Sequence, residues 1–307
     1  MKVVICTFFL ITTSMLSIAQ GDKGKTASNT RPVEIFSSQK VINANSTEVV
    51  PKGKMEFKVM HNFGDIAGSG GGLKNFFGLD NAQDIRIAFE IGIGDKTDVT
   101  FARAKGAGQQ GRFYEINIKH QLLRQLENDP SHPISLALFV NAAVASNKAS
   151  AFDNLDHSFR SFSDRLSETF QLIISRKMGK VSLQLNPTLV TRSYSISYDQ
   201  KTIFALGGAL KLPISQRVNF IVDYFHPFRS QSSRDSFRIN NNIKFYDPLG
   251  VGFEIITGRH VFHLNFTNAT ETLENRFIPR TVSSWGKGQF RWGFTISRQF
   301  TLWKPKQ

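Results

Sequence analysis

Residues 249–268 read LGVGFEIITGRHVFHLNFTN: Leu249, Val251, Phe253 and Ile255 are apolar at every second position, Gly258-Arg259-His260 interrupts, and Phe262, Leu264 and Phe266 resume the alternation. Successive strand side chains point to opposite faces, so a period of two gives one apolar face and one mixed face. Two such runs joined by a tight Gly-containing turn predict an antiparallel hairpin. The same period returns along most of the chain. It runs through Met55, Phe57 and Val59, then Ile85, Ile87, Phe89 and Ile91, then Tyr114, Ile116 and Ile118. Further copies pass through Leu136, Leu138 and Val140, through Phe170, Leu172 and Ile174, and through Val181, Leu183 and Leu185. The last ones hold Phe204 and Leu206, Phe220 and Val222, and Phe290, Trp292, Phe294 and Ile296. A run at 99–105 has ambiguous facing, because Arg103 breaks its alternation.

The count is about twelve strands, an even number. Connections 64–83, 147–160, 229–245 and 268–287 are long, whereas 93–98, 178–180, 213–217 and 258–260 are short. Long outer loops alternating with short periplasmic turns are the habit of bacterial outer-membrane barrels. The expected fold is therefore all-β: a closed antiparallel transmembrane β-barrel with an apolar, lipid-facing exterior and both termini on the short-turn side. No convincing amphipathic helix is evident that could cover the apolar faces from inside. Bilayer hydrocarbon can cover them, and closure leaves no strand edge unpaired in it.

The side-chain alternation divides the wall. Phe57, Phe89, Ile116, Leu138, Leu172, Phe253, Phe262, Leu264 and Phe294 are expected to face lipid. Glu56, Lys58, Arg86, Glu90, Glu115, Lys119, Arg165, Lys211, Asp223, Glu254, His263 and Arg291 are expected to line the lumen. So much mixed charge suits a wet interior better than a dry core.

Composition adds compartment and removes alternatives. The chain has 307 residues and a net charge of +14. Its mean hydropathy of -0.21 decides little, because barrel strands interleave polar and apolar residues. Lys and Arg are scattered rather than clustered, so phosphorylated headgroups account for the charge and nucleic acid is not an expected partner. Lys2, the apolar run at 3–16 and Ser17-Ile18-Ala19 read as a signal peptide over residues 1–19. Residues 20–50 lack sustained alternation and are read as a periplasmic leader or a segment at the barrel mouth or lumen, ahead of a barrel domain at 51–307. The sole cysteine, Cys6, lies inside the signal segment, so neither a disulfide nor a Cys-ligated metal is expected.

Four stretches carry a resemblance: FSSQKVINANSTEVVPKGKMEFKVMHNFGDI, NFFGLDNAQDIRIAFEIGIGDKTDV, TGRHVFHLNFTN and WGKGQFRWGFTISRQF. Together they resemble an uncharacterised family of secreted bacterial outer-membrane-type β-barrels, over about residues 32–300. The resemblance implies fold and location, with no activity and no catalytic residues to carry over. The aromatic-rich last strand is also similar to an outer-membrane assembly signal, although Trp303-Lys304-Pro305-Lys306-Gln307 follow Phe300.

The seven histidines show no HExxH spacing, so neither a metal nor another cofactor is expected. Ser167, Ser182 and His263 are catalytic candidates by residue type only, and GxSxG is absent. The expectation is a narrow passive pore or structural barrel rather than an enzyme. The alternatives are a lipid-modifying enzyme of the outer membrane and a non-conducting binding or scaffold barrel. Expected partners are outer-membrane lipid, small solutes if the lumen is open, and the barrel-assembly machinery during biogenesis.

Overall fold

A computed structural model describes residues 31–304 apart from 107, 109 and 110. The signal segment, residues 20–30 of the expected leader and residues 305–307 lie outside the described residues. The strands are β1 (Lys54–Asp65), β2 (Ala82–Gly94), β3 (Thr97–Gly106), β4 (Arg112–Leu123), β5 (Ser135–Ala145) and β6 (Leu166–Met178). They continue as β7 (Val181–Arg192), β8 (Thr202–Pro213), β9 (Val218–Phe228), β10 (Leu249–Thr257), β11 (His260–Thr267) and β12 (Arg291–Thr301). Each pairs antiparallel with its sequence neighbour, and β1 closes on β12 from Lys54↔Thr301 to Asp65↔Arg291. Closure satisfies every strand edge within the wall.

The register aligns apolar residues across the outer face. Phe57 lies opposite Phe89, Phe89 opposite Phe101, and Phe101 opposite Ile116. The Phe57 and Phe89 rings stand 5.3 Å apart. All nine side chains assigned to lipid from the sequence lie on this outward register, with Phe89, Ile116, Leu138, Phe253 and Leu264 exposed. Arg103 is also outward, stacked over Tyr114 at 4.6 Å, so β3 keeps its alternation with a cation at its loop end. His61 shares this face and stacks on Phe294.

The loop end carries two short helices. The β9–β10 connection holds α1 (Gln231–Asn241), where the Ser230 side chain accepts from the Ser233 N–H and Asn242 closes the helix at φ 52°. The β11–β12 connection holds α2 (Glu274–Arg280), whose residues from Glu274 to Pro279 are buried. Two connections depart from the expected length alternation. β3–β4 is short on the long-loop side, and β4–β5, residues 124–134, is long on the turn side.

The interior differs from the expected wet lumen. Residues 32–50 form a hairpin inside the barrel. It starts against the β4–β5 turn, where Pro32 bridges Leu126 and the Val33 N–H donates to the Gln125 carbonyl at 2.9 Å. Its tip is a turn at 41–44, with the Val41 N–H donating to the Ala44 carbonyl at 2.9 Å and Lys40 bridging Asn45. Ile35, Phe36, Val41, Ile42 and Ala44 join Val190, Ile203, Ile221 and Phe225 of the β7–β9 wall, and Phe277 and Ile278 of α2 join them from the loop end. Burying each of the larger side chains stabilises docking by roughly 1.5–3 kcal/mol. The correction has a simple cause: one sector of the inward face is apolar, and the hairpin and α2 supply its cover.

Candidate functional site

One charged sector of the lumen lies on β1–β4. Lys58 is fully buried between Glu90, at 2.9 Å, and Glu56, at 3.3 Å. Arg86 pairs with Glu115 at 2.5 Å, and the second Glu115 oxygen accepts from Asn141 at 2.8 Å. Lys119 lines a small internal space with Asp98, Glu90 and Asn117. These groups are packed, and each charge inside needs such a partner because its hydration has been removed.

Asp223 on β9 has a different task. Its carboxylate accepts from the backbone N–H groups of Ile42 at 3.1 Å, Asn43 at 2.5 Å and Ala44 at 2.7 Å, and from the Asn43 side chain at 3.1 Å. One buried carboxyl group thus accepts from three successive N–H groups of the hairpin tip. Asp98 holds the other end, accepting from the Val50 N–H at 3.0 Å. Between them the wall contacts the hairpin through side chain to backbone bonds and through side chain to side chain bonds such as Thr47 to Ser175 at 2.6 Å. Ser182 donates to the Ile35 carbonyl at 2.6 Å, and Gln184 and Asn186 donate to the Asn45 carbonyl at 2.7 and 2.9 Å.

The hairpin also meets the inward loop. Lys40 and Asn45 both reach the Glu274 carboxylate, at 2.5 and 3.0 Å. Burial alone would push Glu274 up, but the Lys40 ammonium and then Arg86 hold it below the usual carboxylate value. Above this junction Asp199, in the β7–β8 connection, is enclosed by Arg192 at 2.9 Å, Arg280 at 3.1 Å and Arg229. Arg229 stacks at 4.0 Å on Phe245 and Arg280 at 4.8 Å on Phe237.

The remaining sequence-assigned lumen residues fall as follows. Glu254 accepts from Asn219 at 2.8 Å and faces His263 at 3.2 Å. Lys211 donates to Ser37 of the hairpin at 3.2 Å. Arg291 pairs with Asp65 at 2.9 Å near the loop end. Arg165 is a correction: it ends a 3-10 turn ahead of β6, half-buried, and donates to the Ala145 and Asn147 carbonyls. The chain has not yet entered the ladder there, so strand parity does not apply to it. Ser167 bonds Asn275, Ser182 bonds the hairpin and His263 bonds Glu254, so each of the three is engaged with a separate partner. Among the described residues no group of three or more His, Cys, Asp or Glu is arranged to hold a metal.

Sequence reasoning missed Lys40, Asp98 and Glu274. They sit outside alternating runs, or in Asp98's case in a stretch read as a turn, so strand parity could not flag them. At the terminus end an open cavity of about 590 Å³ is lined by inward Ser37, Glu56, Ser297 and Gln299 and by rim residues His260, Arg298 and Phe300 among others. This vestibule is polar and ends at the hairpin.

A family model described as a membrane-bound β-barrel domain matches residues 36–300. Among curated proteins none matches. Solved structures with a similar fold include an outer membrane channel from Pseudomonas putida F1, at 10% identity and TM-score 0.49, covering 83% of this chain and 98% of that one. The NanC porin is 6% identical at TM-score 0.46, covering 80% and 98%, and the KdgM porin 8% identical at TM-score 0.46, covering 80% and 99%.

Proposed function

Because this chain belongs to the DUF5777 family of membrane-bound β-barrel domains, we propose that it is an outer-membrane barrel built as a narrow pore and held shut by its own N-terminal hairpin. The observation that carries this reading is the junction of hairpin and wall. Much of it consists of hydrogen bonds between wall side chains and hairpin backbone, which water can replace if the hairpin withdraws. A polar vestibule already leads to the hairpin from the terminus end, which in this reading is periplasmic. With the hairpin out, the ion pairs of β1–β4 would line a narrow passage for small polar solutes, and ordered charges of both signs would set selectivity.

Planar-bilayer conductance tests the proposal. The intact barrel is expected to be nearly silent, and deletion of residues 32–50 is expected to give steady small-pore conductance. Asp223→Ala offers a second variant that keeps the whole chain. It leaves three tip N–H groups without their acceptor, at a cost of about 1–3 kcal/mol each, and should conduct in brief openings. If both variants insert, judged by heat-modifiable migration, yet neither conducts, the pore reading is overturned in favour of a structural or binding barrel.

A further inference from the structure

The outer wall carries a cationic patch that no lumen function uses. Arg103 and Lys105 are successive outward residues of β3, and Lys105 lies directly opposite Arg112 of β4. All three side chains are exposed. Directly opposed strand residues have Cβ atoms about 4.5–5.5 Å apart, and like charges there repel. Among the described residues none of the three has a carboxylate partner. Glu271, on the lumen side of Gly106, is taken by Arg276 at 2.5 Å. The outward carboxylate Glu168 stands two strands from β4, opposite Ala142 of β5. Nothing in the wall balances the repulsion.

The position indicates what would. Tyr114, beside Arg112 on the outward register of β4, holds the Arg103 guanidinium over its ring at 4.6 Å and is 55% exposed. Below it run Ile116 and Ile118, exposed in the apolar band. The patch therefore stands where an amphipathic aromatic ring marks the change from hydrocarbon to headgroup. An Arg–Lys pair with a second guanidinium alongside matches the oxygens of one phosphate, which Arg can take bidentately. We propose that Arg103, Lys105, Arg112 and Tyr114 form a docking site for the phosphate headgroup of an anionic lipid, whose chains would lie along Ile116, Ile118 and Phe101. The repulsion across Lys105 and Arg112 is the unsatisfied feature that such a headgroup relieves.

Native mass spectrometry of the full barrel, released from nanodiscs of mixed phosphatidylglycerol and phosphatidylcholine, tests this. The wild type is expected to retain phosphatidylglycerol selectively. The triple variant Arg103→Gln, Lys105→Gln, Arg112→Gln is expected to lose that preference by on the order of 100-fold, as the loss of three surface cations implies. Arg112→Glu separates binding from folding. It places a carboxylate opposite Lys105, so it should raise the thermal midpoint in uncharged detergent while abolishing lipid retention. Equal retention of the two lipids by the wild type would overturn the proposal, as would undiminished retention by the triple variant. Displacement of the lipid by excess inorganic phosphate would identify a free-anion site instead and would also overturn it.

Discussion

At the scale of single residues, the barrel interior is governed by desolvation. A carboxyl group such as Asp223, with no cation within bonding distance among the described residues, is accommodated because backbone N–H groups at the hairpin tip replace part of the lost hydration. Asp199 at the loop end solves the same problem with guanidinium groups. Burial alone would raise its pKa, but Arg192, Arg280 and Arg229 hold it below the ordinary carboxylate range. Its folded value is thus lower than its unfolded value of about 3.9. The stabilisation is fully present above the unfolded value and is lost as pH falls through the folded one. Hydrogen exchange in connections 193–201 and 229–248 should therefore stay slow down to about pH 4 and accelerate in stronger acid. In Asp199→Asn the three arginines lose their shared anion, so exchange there should be fast already at neutral pH.

At the scale of elements, the hairpin and α2 matter more than any one strand. Neither is amphipathic in the way a solvent-exposed element is, because most residues of both are buried by the barrel wall and by each other. The hairpin root is tightly set: a Cβ on Gly92 of β2 would fall 2.2 Å from the Pro51 carbonyl and 2.4 Å from that of Val50. The Gly92 carbonyl also accepts from the Gly53 N–H at 2.9 Å as the chain passes from hairpin to β1. Gly92→Val must therefore displace backbone, and overpacking of this kind costs about 1–3 kcal/mol. The expected outcome is a lower thermal midpoint for the shift in heat-modifiable migration. It should be accompanied by faster proteolysis within residues 32–50, while the ladder of β6–β9 on the far wall keeps its exchange protection.

At the scale of the whole molecule, two separate solvents stabilise one sheet. The outside needs hydrocarbon and the inside needs the chain's own hairpin and loop. Phe253 lies on the outward face of β10 between Phe220 and Leu264 of the neighbouring strands. Phe253→Arg should destabilise the barrel by about 2–4 kcal/mol if this level is near the bilayer midplane, as measured by denaturant titration in phosphatidylcholine vesicles. The same variant in detergent micelles, where water and headgroups approach more closely, should lose less. An equal loss in both media would mean that the side chain meets protein rather than lipid.

The sequence alone was sufficient for the wall. A period of two is a local property, written into residues such as Val251, Phe253, Ile255, Phe262 and Leu264, and the twelve-strand closed ladder reproduces it strand by strand. The outward register was legible for the same reason, since strand alternation imposes one rule on every outward position. Only the tertiary structure could decide the contents of the lumen. Lys40 meets Glu274 and Asp223 meets residues 42–44 across separations of 234 and about 180 positions. Lys40, residues 42–44 and Glu274 lie in segments with no periodicity to announce them, and the alternation that placed Asp223 inward could not name its partners. Inward polar residues look alike from the sequence whether water, ions or another part of the chain completes their hydrogen bonds. That choice depends on which loops reach inside the closed wall, which no local pattern encodes.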